Sequence, residues 1–165
     1  MSRLPQRRRR APKRASPPTF GARDTPVPRT KLRSAADVAE YLQHLAAAEQ
    51  EHLWCLGLDA RHRVTTSNCV ALGTVDQVQV AQRDVFRELV RSNCAAFIIV
   101  HNHPSGECVP SPKDTSLTYG LEKSGAMLGI PLIDHVVLGG ESYYSYAERG
   151  LLTDEKRRAY GHTDS

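Results

Sequence analysis

Apolar residues recur at helical spacing in three segments of the chain, and each segment carries signals for where a helix begins or ends. The first begins at Ser34, with Asp37 three residues later in a near capping box. The second covers residues 76–93, where apolar and arginine positions fall on different faces. The third begins near Ser111 and closes at Gly129, since serine favours the amino end of a helix and glycine the carboxyl end.

Five shorter segments have the apolar and β-branched composition of strands. In chain order they read HLWCLGLD, VTTSNCVALG, CAAFIIV, IPLIDHVVLGG and ESYYSYAERG. Residues 59–63 are expected at the tip of a hairpin, and the wholly apolar CAAFIIV is typical of a strand buried on both faces. The order α-β-β-α-β-α-β-β indicates an α/β (α+β) fold with a mixed sheet flanked by helices. We expect one domain over residues 34–152, followed by a polar tail at 153–165.

The net charge of +4 is distributed unevenly along the chain. Residues 1–33 hold eleven Lys/Arg, one acid and six of the ten prolines, whereas the remainder holds eleven Lys/Arg and seventeen acids. We expect residues 1–33 to form a disordered basic tail, because so polar a segment cannot offset the entropy cost of ordering. The tail has no apolar stretch of the kind that a secretory signal needs. It serves either as a solvated extension or as a weak, salt-dependent anchor to nucleic acid.

The rest of the composition indicates neither a membrane nor an oxidising compartment. No stretch approaches the roughly 18 consecutive apolar residues of a membrane span. The four cysteines form no CxxC pair and accompany no signal peptide, so we expect reduced thiols in a cytoplasmic protein.

The segment VHNHPSGECVPSPKDTSLT follows the predicted buried strand and concentrates the candidate chemistry. His101 and His103 point the same way in an extended chain, so they offer two imidazole nitrogens to one metal ion. Pro104 stops the strand, and Asp114 falls in the first turn of the next helix, from which a carboxylate can return as a third ligand. Two histidines and one carboxylate leave a fourth position for water, as in catalytic zinc sites. The alternative is a hydrogen-bonded turn without a metal.

The stretch HNHPSGECVPSPKD closely resembles the JAMM metalloprotease signature, in which HxH, ten residues and an aspartate hold zinc. The blocks GTVDQVQVAQRDVFRELVRSNCAAFIIVHNHPSG and PLIDHVVLGGESYYSYAERGLL resemble the RadC family within that group. The similarity runs from about Ser34 to Leu152 and implies a JAMM-type (MPN-type) fold with a curved mixed sheet. Family members usually carry an amino-terminal helix-hairpin-helix segment. This chain has a basic tail there instead, so the resemblance does not carry over a role in DNA repair.

The resemblance also implies a role for each residue of the site. His101, His103 and Asp114 would bind Zn²⁺. Glu51, at the start of the first strand, would pass a proton from water to the leaving amine. Ser111 would stabilise the oxyanion of a tetrahedral intermediate. The implied function is zinc-dependent hydrolysis of a peptide or isopeptide bond, with no covalent enzyme intermediate.

Several assignments stay open from the sequence. Glu49 is the alternative to Glu51, and helix capping is the alternative role of Ser111. His135 is expected to be a satisfied core or rim histidine beside Asp134, with direct metal binding as the alternative.

A second class of function also stays open. The chain would then be a nucleic-acid-associated protein in repair or mobile-element biology, anchored by residues 1–33, with a structural or inactive metal site. Cys108, inside the histidine loop, would in one hypothesis contact zinc in place of water and hold the site inactive.

Overall fold

A computed structural model describes residues 30–73 and 80–153 and shows a five-stranded sheet with helices on both faces. The elements are α1 (Ala35–Tyr41), α2 (Gln43–Ala46), β1 (His52–Leu58), β2 (Val64–Leu72), α3 (Gln82–Arg91), β3 (Ala96–Asn102), α4 (Pro112–Leu128), β4 (Leu132–Gly139) and β5 (Ser142–Ser145). The strand order is β2-β1-β3-β4-β5. Only the β3–β4 pair of these neighbours is parallel, so the sheet is mixed. The predicted fold class is confirmed.

Two helices differ in extent from the sequence prediction. The first is interrupted at Leu42, where the backbone (φ −114°, ψ 24°) leaves the helical region and separates α1 from α2. Leu42 is buried at this break, so packing against the sheet outweighs helix propensity there. α3 begins at Gln82, and residues 76–79 of the predicted helix lie outside the described residues. Across the described ranges, no helix combines the length and apolar character that a bilayer crossing requires.

β3 is buried along its whole length and divides the core into two layers. Ile98 and Val100 pack with α1 and α2, whereas Phe97 and Ile99 pack with α3 and α4. Burial on both faces explains the continuous apolar run from which this strand was predicted. The strand ends in polar residues that are equally buried, and buried polar groups require hydrogen-bond partners.

The packed region begins before the first helix. Leu32 is fully buried, and its N–H donates to the carbonyl of His62 at 3.0 Å. An apolar side chain in a polar segment thus brings the chain against the hairpin ahead of Ser34, where the domain was expected to begin. Disorder was predicted for residues 1–33, and this prediction is wrong for residues 30–33, which include the buried Leu32. Residues 1–29 and most of the predicted carboxyl-terminal tail, residues 154–165, lie outside the described residues.

α4 has the predicted signals at both of its ends. The Ser111 hydroxyl accepts the N–H of Asp114 at 3.2 Å, and Asp114 Oδ2 accepts the N–H of Ser111 at 2.7 Å, which forms a capping box. Gly129 closes the helix in the left-handed conformation (φ 70°). Because the box fixes the Asp114 side chain, a carboxylate is held at the amino end of α4.

Asp134 is a fully buried carboxyl group on β4. It accepts hydrogen bonds from the Ser145 hydroxyl at 2.6 Å and from the Ala147 N–H at 2.9 Å. Burial raises the pKa of Asp134 to about 7, although these hydrogen bonds oppose the change. Since its unfolded-state pKa is about 3.9, the folded protein holds this proton more tightly, and the resulting stability is lost as the pH rises through 7.

We predict that Asp134→Asn removes this pH dependence. Relative to the variant, the free energy of unfolding of the wild type should fall by about 2–4 kcal/mol between about pH 4 and pH 8, because each unit of pKa difference corresponds to about 1.4 kcal/mol. Urea unfolding across this range measures the effect. Asp84→Asn, which removes an exposed carboxylate on α3, is the matched control. Parallel curves for wild type and Asp134→Asn would contradict the prediction.

Candidate metal centre

The two histidines of the loop lie at the end of β3 with their rings in contact. His101 is within the buried strand, and His103 follows it. Their Nε2 atoms are 2.9 Å apart. The sequence predicted that His101 and His103 point to the same side of the strand. They do, and two imidazole nitrogens therefore face one point.

Asp114 approaches the same point from the first turn of α4. Its Oδ1 lies 3.4 Å from His101 Nε2, and its Oδ2 lies 3.3 Å from His103 Nε2. Two ligand atoms that share one tetrahedral zinc at about 2.0–2.1 Å are about 3.3–3.4 Å apart. The carboxylate is therefore spaced from both rings as ligands of one ion would be.

Glu51 precedes β1 and brings a second carboxylate to the cluster. Its Oε1 lies 3.7 Å from His103 Nε2. Glu51, His101 and His103 form a group whose candidate ligand atoms all lie within 4.8 Å of one another. Glu49 is exposed on the preceding turn, so of the two glutamates considered from the sequence it is Glu51 that faces the cluster.

Asn102 holds the segment that carries Glu51. Its Oδ1 accepts the N–H of His52 at 2.8 Å, and its Nδ2 donates to the carbonyl of Gln50 at 2.9 Å. The backbone on both sides of Glu51 is thereby tied to the end of β3. Asn102 is fully buried, and these hydrogen bonds position the glutamate.

The cluster has a buried side and an open side. The side chains of His101 and Asp114 are 1% and 2% exposed. Those of His103 and Glu51 are 15% and 16% exposed. Solvent therefore reaches the cluster past His103 and Glu51, while the opposite side is closed by the core.

The loop after β3 sets the protonation of the His103 ring. His103 Nδ1 lies 2.9 Å from the carbonyl of Glu107. A carbonyl only accepts, so Nδ1 carries the proton and Nε2 of the neutral ring keeps a free lone pair. That lone pair is directed at the point shared with His101 and Asp114.

Charge interactions favour an ionised carboxylate at this point. Burial alone raises the pKa of Asp114, but hydrogen bonds with the rings of His101 and His103 and with the Ser111 backbone outweigh burial and hold that pKa well below its usual range. The same Asp114 bond raises the pKa of His103, against the opposing effect of burial. Protons and a metal ion therefore compete for the same nitrogen atoms.

His135, on β4, lies beside the cluster. The sequence alone did not predict this contact. It is fully buried, and its Nε2 lies 2.7 Å from Nδ1 of His101. The prediction of a satisfied buried histidine is confirmed, but the partner of its ring is His101, and the Asp134 carboxyl accepts from the His135 backbone rather than from the ring. Ile99 of β3 is paired with His135, which brings the two rings together. In the sequence, a histidine inside an apolar strand indicated that His135 needs a hydrogen-bond partner. Only the pairing of β3 with β4 identifies that partner as His101.

Two further residues from the sequence lie near the loop. The exposed Ser111 caps α4, so its contacts define a structural role and leave its hydroxyl proton available to donate. Cys108 is partly buried, with its backbone against Gly139. Among the residues that the structure describes, the group of Glu51, His101 and His103 includes neither Cys108 nor Asp114, although Asp114 lies within 3.4 Å of both rings.

Comparison with known proteins identifies the family of this chain. A family model described as "RadC-like JAB domain" matches residues 32–151. A UPF0758 protein of Chloroflexus aggregans is 42% identical over 131 residues, which cover 79% of this chain and 57% of that protein. A UPF0758 protein of Thermotoga maritima is 38% identical over 74% of this chain and 55% of that protein. A UPF0758 protein of Enterococcus faecalis is 36% identical over 76% of this chain and 54% of that protein. The chain thus spans a little over half the length of these relatives.

The sheet and the cluster at the end of its central strand define a JAB-type domain, a class related to the MPN fold of metalloproteases. This chain belongs to the RadC-like JAB domain family. The resemblance seen in HNHPSGECVPSPKD and the flanking blocks is therefore confirmed.

Packing against Gly139 should control metal affinity through the loop. A Cβ at this position would lie 2.6 Å from Cys108 N, 2.6 Å from Glu107 C and 2.8 Å from Gly106 O, all backbone atoms. Gly139→Ala therefore moves the loop whose Glu107 carbonyl orients His103. We expect affinity for a probe ion, Zn²⁺, to weaken by about 10–100-fold, as for loss of a ligand's hydrogen-bond partner.

Competition with a chelating dye measures this affinity. The matched control is Gly120→Ala, whose Cβ would approach only the flexible end of Gln82, at 3.0 Å. That variant should bind Zn²⁺ as the wild type does. Unchanged affinity in Gly139→Ala would show that the loop does not depend on this contact.

Proposed function

We propose that this domain is a zinc-dependent hydrolase of the metallopeptidase or isopeptidase type, which cleaves an amide bond with water. The observation that carries the proposal is the meeting of His101, His103 and Asp114 at one point, with ring nitrogens and carboxylate oxygens no more than 3.4 Å apart. Glu51 adds a carboxylate on the side open to solvent.

The donor set supports zinc as the ion. Two imidazole nitrogens and one carboxylate suit Zn²⁺, and three protein ligands leave a position open, as in catalytic zinc sites. When bound, Zn²⁺ supplies a Lewis acid that polarises a carbonyl and lowers the pKa of water to about 7. His101, His103 and Asp114 would hold the ion.

Glu51 would move the proton. Its carboxylate, 3.7 Å from His103 Nε2, lies where it can accept a proton from an attacking water. The water oxygen bonds to the carbonyl carbon, the C–N bond breaks, and Glu51 returns the proton to the leaving nitrogen. The Ser111 hydroxyl would donate a hydrogen bond to the developing oxyanion, since the capping bond uses its oxygen only as an acceptor.

A peptide or isopeptide is the proposed substrate class. Hydrolysis of an amide requires a polarised carbonyl and a proton donor for the leaving nitrogen. In the proposed site, the carbonyl would be polarised by the bound ion, and Glu51 would supply the proton. The cytoplasm is the proposed compartment, because all four cysteines are free thiols.

Metal content tests the proposal directly. Elemental analysis of the purified wild type should give about one zinc per chain, and His103→Ala and Asp114→Ala should each lose it, because each removes one of three ligands. His44→Ala removes an exposed histidine of α2 and is the matched control. Absence of zinc from the wild type, even after reconstitution, would refute the proposed function.

Glu51→Gln separates proton transfer from metal binding. The variant keeps the shape of the side chain but cannot accept the proton, so we expect zinc content to persist while hydrolysis falls by about 10²–10⁴-fold. Hydrolysis is read by mass spectrometry as new amino termini in a library of cellular peptides. Glu49→Gln should keep both properties. Loss of zinc in Glu51→Gln would reassign Glu51 as a ligand.

We propose nucleic-acid binding as a second function because of the charge distribution. Residues 1–33 contain eleven Lys/Arg and one acid, whereas the rest of the chain is net acidic. Clustered cations release counterions from a phosphate backbone when they bind it. This attraction requires no sequence readout and is independent of the metal cluster.

Deletion of residues 1–29 tests this second function while leaving the buried Leu32 in place. Wild-type affinity for a 20-base-pair DNA duplex should fall more than about tenfold between 50 and 200 mM salt, and the deletion should abolish binding. Changing Arg7, Arg8, Arg9 and Arg10 to glutamine should reduce the salt dependence without shortening the chain. Binding that survives the deletion would contradict this function.

A further inference from the structure

A chain of buried hydrogen bonds runs from His101 away from the candidate metal point. His101 Nδ1 lies 2.7 Å from His135 Nε2. His135 Nδ1 lies 2.6 Å from the hydroxyl of Thr118, and that hydroxyl donates to the backbone carbonyl of Asp114 at 2.6 Å. His135 and Thr118 have no exposed surface, and His101 is 1% exposed, so bulk water does not substitute for these partners.

The backbone carbonyl of Asp114 is the last acceptor in this series of hydrogen bonds, and it fixes which atom donates in each of them. The carbonyl of Asp114 only accepts, so the Thr118 hydroxyl donates to it and accepts from Nδ1–H of His135. His135 Nε2 then carries no proton in the neutral ring and accepts from His101. His101 therefore holds its proton on Nδ1, and its Nε2 keeps the lone pair that faces Asp114 and His103.

Ring stacking holds His135 in place. Its ring stacks on Tyr146, with centroids 5.2 Å apart and planes 9° apart. A neutral ring with one orientation has one acceptor nitrogen to offer, and that nitrogen meets His101.

We propose that His135 and Thr118 are positioning residues that lock His101 in the Nδ1–H tautomer and so direct its Nε2 toward the metal ion. The inference rests on the proposed zinc site. It assigns His135 no contact with the ion or the substrate. The sheet supplies His135 and α4 supplies Thr118, so the ligand-competent form of His101 depends on the packing of α4 against β4.

Three variants test this assignment. His135→Phe keeps an aromatic ring on Tyr146 but offers no acceptor to His101. His135→Gln restores a side-chain carbonyl as acceptor, and Thr118→Val removes the hydroxyl at constant shape. Thr65→Val is the matched control, because it also removes a hydroxyl that donates to a backbone carbonyl, here that of Gly57 on β1.

Zinc affinity, measured with the full chain by chelator competition, is the first measurement. We expect His135→Phe and Thr118→Val to bind Zn²⁺ about 10–100-fold more weakly, as for other partners of ligating histidines. His135→Gln should recover most of the affinity, and Thr65→Val should match the wild type. If His135→Phe does not fold, Thr118→Val carries the test.

The tautomers are the second measurement. A long-range ¹H–¹⁵N spectrum of the zinc-loaded wild type should show His101 and His135 both protonated at Nδ1. A proton on Nε2 of His135, or wild-type affinity in both His135→Phe and Thr118→Val, would overturn the inference while leaving the zinc site intact. A wild type that binds no zinc would instead remove the proposed function itself.

Discussion

Parallel pairing between β3 and β4 decides the arrangement of the site. It sets Ile99 opposite His135 and His101 opposite Val137, at the buried centre of the sheet. An imidazole in such a place costs free energy unless both nitrogens have partners. His135 accepts from one nitrogen of His101, and the other nitrogen faces Asp114 across the point where we propose that an ion binds. The need to satisfy one buried ring thus ties the sheet to the helix that carries the third candidate ligand.

The capping box of α4 links secondary structure to the candidate chemistry. Asp114 uses its carboxylate both to accept the N–H of Ser111 and to face His101 and His103. The same side chain therefore begins the helix and completes the cluster. Groups that are held by their own folding interactions need little rearrangement to bind an ion, and this pre-organisation favours tight and specific binding.

The two sides of the cluster differ in their exposure to solvent. His101 and Asp114 are enclosed by the core, while His103 and Glu51 lie at its surface. Glu51 stands on a segment fastened by Asn102, whose two amide hydrogen bonds reach back from β3. A residue proposed to carry a proton is therefore accessible to water yet fixed by the same strand that fixes the histidines. Burial supplies rigidity on one side, and exposure supplies access on the other.

The sequence by itself determined what depends on local geometry. Residue alternation in a strand gave the shared direction of His101 and His103, and helix-capping chemistry gave the position of Asp114. Only the tertiary structure decided which distant segments meet. The neighbour of His135, the burial of Leu32 and the break at Leu42 all depend on packing and strand pairing between segments far apart in the chain, and local residue patterns do not encode those pairings.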